Sequence, residues 1–203
     1  MDWEELGIQG SKKKEPSLES TRKALEELGR PDQDYEVILV GGTNGKGSTV
    51  EMISELLQGK DLDVGVNKSP HLVSLKERIQ TNSSEIPEND LERIVENVKS
   101  LDLELSFFEM ITVVAFQYFS EEKVDYAVVE VGMGGRLDAT NVADNKVAAI
   151  TNIEIDHAKY LGDKREDIAR EKAGIIPEKG NLILGTEIQV LRENATKKNT
   201  EIH

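Results

Sequence analysis

The sequence feature that most constrains the fold is a glycine-rich turn between a strand pattern and a helix pattern. Residues 35–40 (YEVILV) form the short apolar run of a buried strand, and apolar residues recur at helical spacing from Ser48 onward. The segment between them, residues 41–49, has the sequence GGTNGKGST. Glycines allow a tight turn, and the first N–H groups of a helix have no partner within the helix, so this βα unit suits a bound phosphate.

Strand and helix patterns alternate through the rest of the chain, which predicts an α/β fold with a doubly wound, mostly parallel sheet. Further strands are predicted at 63–66, 125–131, 146–150 and 181–185, and helices near 18–28, from Pro87, at 107–119, around 168–172 and at 188–191. We interpret residues 1–34 as a helical segment and 35–203 as the phosphate-binding domain. No periodic element is predicted after the short helical pattern near Leu191.

The phosphate loop departs from the common GxxxxGK[ST] pattern. Val40 stands where its first glycine belongs and Gly47 where its hydroxyl belongs, with Ser48 one place later. Lys46 is nevertheless placed to neutralise the β- and γ-phosphates of a nucleotide. The alternative is an ordinary glycine-rich βα turn, but a lysine among glycines has no structural role there.

Charge and composition exclude several classes of function. The chain has 39 Asp and Glu against 25 Lys and Arg, a net charge of -14, which would repel duplex nucleic acid. The plain interpretation of this charge is a solvated surface, with adaptation to a salty cytoplasm as the alternative. Cysteine is absent, so thiolate catalysis and cysteine-bound metals are excluded and any metal must bind oxygen or histidine.

Membrane and secretion signals are missing from the sequence. No apolar run approaches the ~20 residues of a membrane span, and the first residues, MDWEELGIQGSKKKEP, contain no apolar segment after their charges. We therefore expect a cytoplasmic protein without a signal peptide, a membrane partner or a nucleic-acid partner.

Several ordered motifs carry a resemblance to a known family. They are GTNGKGS at 42–48, SPHL at 69–72, FFE at 107–109, EVGMGGRLDATN at 130–141, TNI at 151–153, DH at 156–157, YLG at 160–162 and REKAGII at 170–176. Together these segments resemble the Mur ligase superfamily, most closely its folylpolyglutamate synthase and dihydrofolate synthase branch. The resemblance implies an ATP-dependent ligase that joins L-glutamate to dihydropteroate or to a folate polyglutamate through an acyl phosphate.

The resemblance also assigns roles to residues. It implies ATP binding by the turn, catalytic roles for Lys46, Lys172 and His157, and Mg²⁺ ligation by Ser69, Glu130 and His157. The nucleotide-binding residues of the turn are Gly42, Thr43, Asn44, Gly45, Lys46, Gly47 and Ser48. Taken alone, His157 would be a structural histidine and Glu130 an edge carboxylate.

Lys172 matches the lysine that in this family is carbamylated by CO₂, which turns a cation into an anion beside a second metal. Without the family, it would be a solvated lysine on a helix. Arg136 and Asp138 are expected to shape the site beside Glu130, with a tight turn and a structural ion pair as the alternative. Phe107, Phe108 and Glu109 match the FFE motif of the family, but they can equally be interpreted as the start of a helix and part of the core.

Some features depart from the family pattern or leave alternatives open. Lys68, Glu154 and Ala158 stand where the family usually has other residues. The chain also has about half the length of the two-domain family, so the C-terminal domain is expected to be absent or separate. Alternatives are a nucleotide-binding fragment, one half of a split enzyme, or a Mur-type ligase for another acid.

Overall fold

The computed structural model describes Leu6 and residues 17–156 and 161–203, and its central feature is one sheet of eight strands. The order across the sheet is β4-β3-β2-β5-β1-β6-β7-β8. The strands are β1 Glu36–Gly41, β2 Val64–Asn67, β3 Ile79–Thr81, β4 Ser84–Glu85, β5 Tyr126–Glu130, β6 Val147–Ile150, β7 Asn181–Leu184 and β8 Glu201–Ile202.

Helices connect the parallel strands and cover both faces of the sheet. The described α-helices are α1 Glu19–Glu27, α2 Lys46–Gln58, α3 Glu88–Lys99, α4 Phe107–Glu122, α5 Arg165–Lys172 and α6 Gln189–Lys197. Strands β2, β5, β1, β6, β7 and β8 run parallel. The predicted α/β class and doubly wound, mostly parallel sheet are therefore confirmed.

The central strand β1 is buried on both faces, as its continuous apolar sequence predicts. Val37 and Leu39 belong to the large core that contains α4, whereas Ile38 and Val40 pack in a second core with Val50 of α2. This alternation follows from the period of two along a strand. It places α2 on one face of the sheet and α4 on the other.

Helix α1 is part of the same packing as the sheet domain. Its Ala24 and Leu25 are fully buried in the core that contains α4, and Thr21 donates a hydrogen bond to buried Glu109 of α4 at 3.3 Å. The helix begins and ends within the range predicted for it. Residues before Ser17, apart from Leu6, lie outside the described part of the chain.

Two regions differ from the sequence prediction. The hairpin formed by β3 and β4 adds two antiparallel strands beside β2, where no strand was predicted. The prediction that no element follows the helical pattern near Leu191 is wrong, because α6 continues to Lys197 and β8 then pairs with β7. These short edge strands are defined by pairing with a neighbour rather than by a hydrophobic period.

None of the described helices combines the length and the apolar character needed to cross a membrane.

Candidate active site

Three loops meet where the central strands end. Val40 lies opposite Glu130 in the pairing of β1 with β5, and Gly41 lies opposite Ile150 in the pairing of β1 with β6. The three strands are parallel, so the segments that follow them emerge at one edge. The carboxyl edge of an open α/β sheet is where such folds bind ligands. The phosphate loop, Glu130 and the segment after β6 are therefore neighbours.

The phosphate loop requires glycine at two positions. Gly42 has φ of 139°, and a Cβ atom there would lie 1.9 Å from the Oγ1 atom of Thr151. Gly45 has φ of 80° and directly precedes the first residue of α2. A side chain at either position would be strained, and at Gly42 it would also collide with the neighbouring loop. The backbone thus turns from β1 into the N-terminus of α2, the geometry that binds phosphate.

The segment after β6 fixes the shape of the phosphate loop. Asn152 accepts a hydrogen bond from the Asn44 N–H at 2.9 Å through its side chain and one from the Thr43 N–H at 3.0 Å through its backbone carbonyl. Thr151 donates its hydroxyl to the Asn44 carbonyl at 2.7 Å. These bonds tie the phosphate loop to the segment after β6.

Lys46 and Glu130 face each other across the loop. The Lys46 Nζ atom lies 3.9 Å from Glu130 Oε1 and donates to the Thr43 carbonyl at 3.2 Å. Glu130 also accepts the Ser69 N–H at 3.0 Å. A Cβ atom on Gly47 would lie 3.5 Å from Glu130 Oε2, so this carboxylate sits directly against the start of α2.

The electrostatics of Glu130 reflect its burial at this edge. The residue is 5% exposed, and burial raises the pKa of its carboxyl, an effect opposed by the Ser69 hydrogen bond and by the charges of Lys46, Arg78 and Lys68. A buried carboxylate with a shifted pKa, surrounded by cations at the carboxyl edge of the sheet, marks a candidate functional site.

Lys172 reaches the same loop from the end of α5. It is 6% exposed, and its Nζ atom donates to the Gly42 carbonyl at 2.8 Å. Burial, reinforced by the charge of Lys46, lowers the pKa of Lys172 to about 8. The interpretation of Lys172 as a solvated lysine is therefore wrong, because the helix turns this side chain inward.

The segment after β5 is held by hydrogen bonds to one buried carboxylate and by a surface ion pair. Buried Asp138 accepts hydrogen bonds from the Thr140 hydroxyl at 2.6 Å and from the Met133 N–H at 2.8 Å. Arg136 is exposed and forms an ion pair with Glu171 at 3.0 Å. These contacts favour the interpretation of Arg136 and Asp138 as parts of a tight turn and a structural ion pair, rather than as residues that shape the site. The narrow cleft beside this turn is lined by Gly132, Met133 and Gly134 together with Gly42, Thr43, Lys46, Asp156, Leu161, Ile168 and Lys172.

Glu77 holds the loop that carries Ser69. Its carboxylate accepts three backbone N–H groups, from Leu72 at 2.8 Å, Val73 at 2.8 Å and Ser74 at 2.6 Å. These hydrogen bonds lower the pKa of Glu77 to about 2. Leu72 and Val73 themselves are 91% and 90% exposed. The loop therefore owes its shape to this carboxylate rather than to apolar packing at its tip.

We predict that Glu77→Gln speeds amide hydrogen exchange at residues 72–74 while leaving the global unfolding midpoint nearly unchanged. The folded-state pKa of about 2 lies below the ordinary value of 4.5. The contribution of the carboxylate is therefore complete above the ordinary value and is lost as the pH falls through about 2. Glu85→Gln, an exposed change on β4, is the control. Equal exchange rates in the Glu77 variant and the parent would contradict the prediction.

The residues predicted to bind metal are only partly brought together. Ser69 and Glu130 meet through the 3.0 Å bond between the Ser69 N–H and Glu130 Oε2. His157 lies outside the described residues, so its predicted catalytic and metal roles stay predictions. Within residues 17–156 and 161–203 no group of three or more histidine or carboxylate side chains could hold a metal ion. A single carboxylate at a phosphate loop suits Mg²⁺, which keeps several water ligands and binds phosphate oxygens.

Sequence reasoning missed two contributors to the site. Asn152 fixes the phosphate loop from a distance of 108 residues along the chain, and Arg78 interacts electrostatically with Glu130. The TNI motif contained Asn152 but gave no reason to place it against the loop. Arg78 carried no signal, because its position becomes informative only once β3 pairs with β2.

Comparisons with known proteins agree with this geometry. Residues 40–203 match the model of the Mur ligase middle domain. The chain is 38% identical over 190 residues to a probable bifunctional folylpolyglutamate synthase/dihydropteroate synthase of Haloferax volcanii, covering 89% of this chain and 23% of that protein. It is 42% identical over 151 residues to the dihydrofolate synthase/folylpolyglutamate synthase of Escherichia coli, covering 73% and 36%.

A solved structure shares the architecture over nearly the whole chain. The bifunctional folylpolyglutamate synthase/dihydrofolate synthase of Yersinia pestis, complexed with AMPPNP and Mn ion, matches with a TM-score of 0.91 at 34% identity. The match covers 99% of this chain and 50% of the Yersinia chain. The chain thus spans half of that structure, and 23% and 36% of the two sequence relatives above.

Proposed function

Because the chain belongs to the Mur ligase family, whose middle domain matches residues 40–203, we propose that it is the nucleotide-binding part of an ATP-dependent carboxylate–amine ligase. The proposed reaction adds L-glutamate to dihydropteroate or to a folate polyglutamate. The names of the bacterial and archaeal relatives support this choice of acid. The family predicted from the sequence motifs is confirmed.

The observation that carries the proposal is the convergence of three charged side chains on one glycine-rich loop. Lys46 lies 3.9 Å from Glu130, and Lys172 donates to the Gly42 carbonyl of the same loop. An ordinary glycine-rich turn needs neither a buried carboxylate nor two lysines. A loop that must bind a triphosphate and its counter-ion needs both signs of charge.

The chemistry requires activation of a carboxylate. A carboxylate is a poor electrophile because its leaving group would be oxide, whereas a phosphorylated carboxylate loses phosphate when an amine attacks. Phosphoryl transfer depends on positioning and charge neutralisation. In the proposed mechanism, the N–H groups at the start of α2 hold the β- and γ-phosphates and Lys46 neutralises their charge.

Divalent metal and ATP fit the residues that are present. Glu130 and Ser69 would hold Mg²⁺, and the turn from Gly42 to Ser48 would hold the nucleotide. The metal would supply charge neutralisation at the transferred phosphoryl group. The complex of the Yersinia relative with AMPPNP and Mn supports this assignment. His157 remains a proposed third metal ligand with a catalytic role.

The proposed substrate and partners follow the same family. They are a pteroate or folate-type acid, L-glutamate and a C-terminal domain, which is either part of a longer chain or a separate partner. Because this chain covers 36% of the E. coli relative and half of the Yersinia structure, turnover is proposed for the complete assembly.

The test is ADP release that depends on both glutamate and a pteroate or folate acceptor. It is run with this chain alone and again with the C-terminal domain of a relative added in trans. We expect ATP binding by the chain alone and turnover once the second domain is present. ATP binding without turnover in either mixture would favour a nucleotide-binding module. Turnover only with a cell-wall precursor acid would favour another Mur-type ligase.

A further inference from the structure

Arg78 is a buried arginine, and no carboxylate among the described residues is hydrogen-bonded to it. It ends the short 3₁₀ turn that precedes β3 and is 8% exposed. Its Nε atom donates to His71 Nδ1 at 2.7 Å. Across residues 17–156 and 161–203, this is the one hydrogen bond that the guanidinium makes. The terminal nitrogens Nη1 and Nη2 therefore have no hydrogen-bond acceptor in the described part of the chain.

Two side chains fix the orientation of this guanidinium. His71 accepts from the Nε atom, and the Phe107 ring lies beneath the group with its centroid 5.3 Å from Cζ. His71 belongs to the SPHL motif and Phe107 to the FFE motif. Both motifs were unexplained by the phosphate loop, and both now contact the same arginine.

The position of Arg78 links it to the proposed phosphoryl-transfer site. Its backbone carbonyl accepts the Lys68 N–H at 3.0 Å, and the next N–H along the chain, that of Ser69, binds Glu130 at 3.0 Å. The charges of Arg78 and Glu130 also interact. Burial lowers the pKa of Arg78, which means that its charge is incompletely solvated. Buried charges are normally paired, and the oxygens of Glu130 are engaged by Lys46 and by the Ser69 N–H. The Nη1 and Nη2 donors therefore point to an anion that arrives with a ligand.

We propose that Arg78 binds the carboxylate of the acid substrate, the group that receives the phosphoryl, and that His71 and Phe107 are its positioning residues. This inference rests on the proposed ligase function. A guanidinium offers two parallel donors that match a carboxylate. The nucleotide phosphates already have Lys46 and the start of α2, whereas nothing else in the site is assigned to the acid.

Arg78 would act in the step that joins the acid to the phosphoryl group. With the carboxylate held at Arg78, one of its oxygens attacks the γ-phosphorus. The new C–O–P bond forms as the bond from the γ-phosphorus to the bridging oxygen breaks, and ADP leaves with that electron pair. Arg78 offsets the repulsion between two anions that must approach each other.

The test pairs a protein change with a ligand change. Calorimetry at saturating Mg–AMPPNP measures the binding of pteroate and of pteroamide, which carries a carboxamide in place of the carboxylate. Arg78→Ala should weaken pteroate binding by about 100-fold and pteroamide binding by less than about threefold. Arg78→Lys keeps the charge but loses the paired donors, so a loss of about tenfold is expected for pteroate.

Matched controls separate recognition from packing. Arg93→Ala removes an exposed arginine paired with Asp90 and Glu121 and should leave both affinities unchanged. His71→Asn keeps a side-chain acceptor for Arg78 and should retain more pteroate affinity than His71→Ala, with no difference for pteroamide.

Two outcomes would overturn the proposal. Equal losses for pteroate and pteroamide in Arg78→Ala would show that the arginine only packs the loop. Failure of the parent chain to bind pteroate would show that the acid is not held by this chain. If the variants bind AMPPNP as tightly as the parent, the nucleotide site is unaffected by either outcome. If the parent chain does not bind AMPPNP at all, the proposed ligase function itself is contradicted.

Discussion

Lys46→Ala is expected to weaken the binding of Mg–ATP to this chain by about 100-fold, because a desolvated cation–phosphate contact is worth on the order of 3 kcal/mol. The Lys46 side chain is 16% exposed and lies between the Thr43 carbonyl and Glu130. Its ammonium is thus held at the start of α2, where the phosphates are proposed to bind. Calorimetry with Mg–AMPPNP measures the affinity directly.

The fold should survive the Lys46 change. The phosphate loop keeps its bonds to Thr151 and Asn152, which do not involve the lysine side chain. Circular dichroism should therefore match the parent. Lys60→Ala, an exposed change just beyond the C-terminus of α2, is the control for loss of positive charge. Equal nucleotide affinity in Lys46→Ala and the parent would remove the phosphate loop from the proposed function.

Lys172→Ala is expected to abolish ligase turnover in the assembly with the C-terminal domain, and short carboxylic acids should restore part of it. The proposal is that the amine is carbamylated, so that an anion faces the metal and triphosphate. An ammonium there would repel Mg²⁺, whereas an added carboxylate replaces the missing negative charge. Full turnover by the alanine variant without additives would contradict this proposal.

The setting of Lys172 supports carbamylation. Carbamylation requires the neutral amine, and the pKa of about 8 makes that form accessible near neutral pH. As the pH rises through this value the neutral fraction grows, so the carbamate should increase between about pH 7 and pH 9 at constant dissolved CO₂. The side chain also lies inside the site, bonded to the phosphate loop, rather than in solvent.

Lys198, a half-buried lysine, provides the matched control. Burial also lowers the pKa of Lys198, but its Nζ atom contacts the Gly174 and Ile176 carbonyls away from the phosphate loop. With ¹³C-labelled bicarbonate and Mg–ATP, the parent and Lys198→Arg should both show a carbamate signal that Lys172→Arg lacks. A signal that persists in Lys172→Arg would place the modification elsewhere.

Local patterns in the sequence were sufficient for the central sheet and for the phosphate loop. The run at 35–40 predicted β1, and glycines beside Lys46 predicted a turn into a helix, since backbone freedom and helix-terminal N–H groups are local properties. The motifs then identified the family. Ser106 caps the start of α4 through a capping box with Glu109. The FFE segment is therefore the start of a helix, as the alternative interpretation of the sequence predicts.

The tertiary structure decided which distant groups meet. Lys172 bonds to Gly42 across 130 residues, and Asn152 shapes the loop across 108. The hairpin of β3 and β4 sets Arg78 beside Phe107, and β8 exists only through its pairing with β7. Such contacts depend on how separate elements pack, which no short stretch of sequence records. The sequence by itself therefore determined the fold class, the family and the phosphate loop, whereas packing alone turned Lys172 inward and set the Arg78 guanidinium between His71 and Phe107.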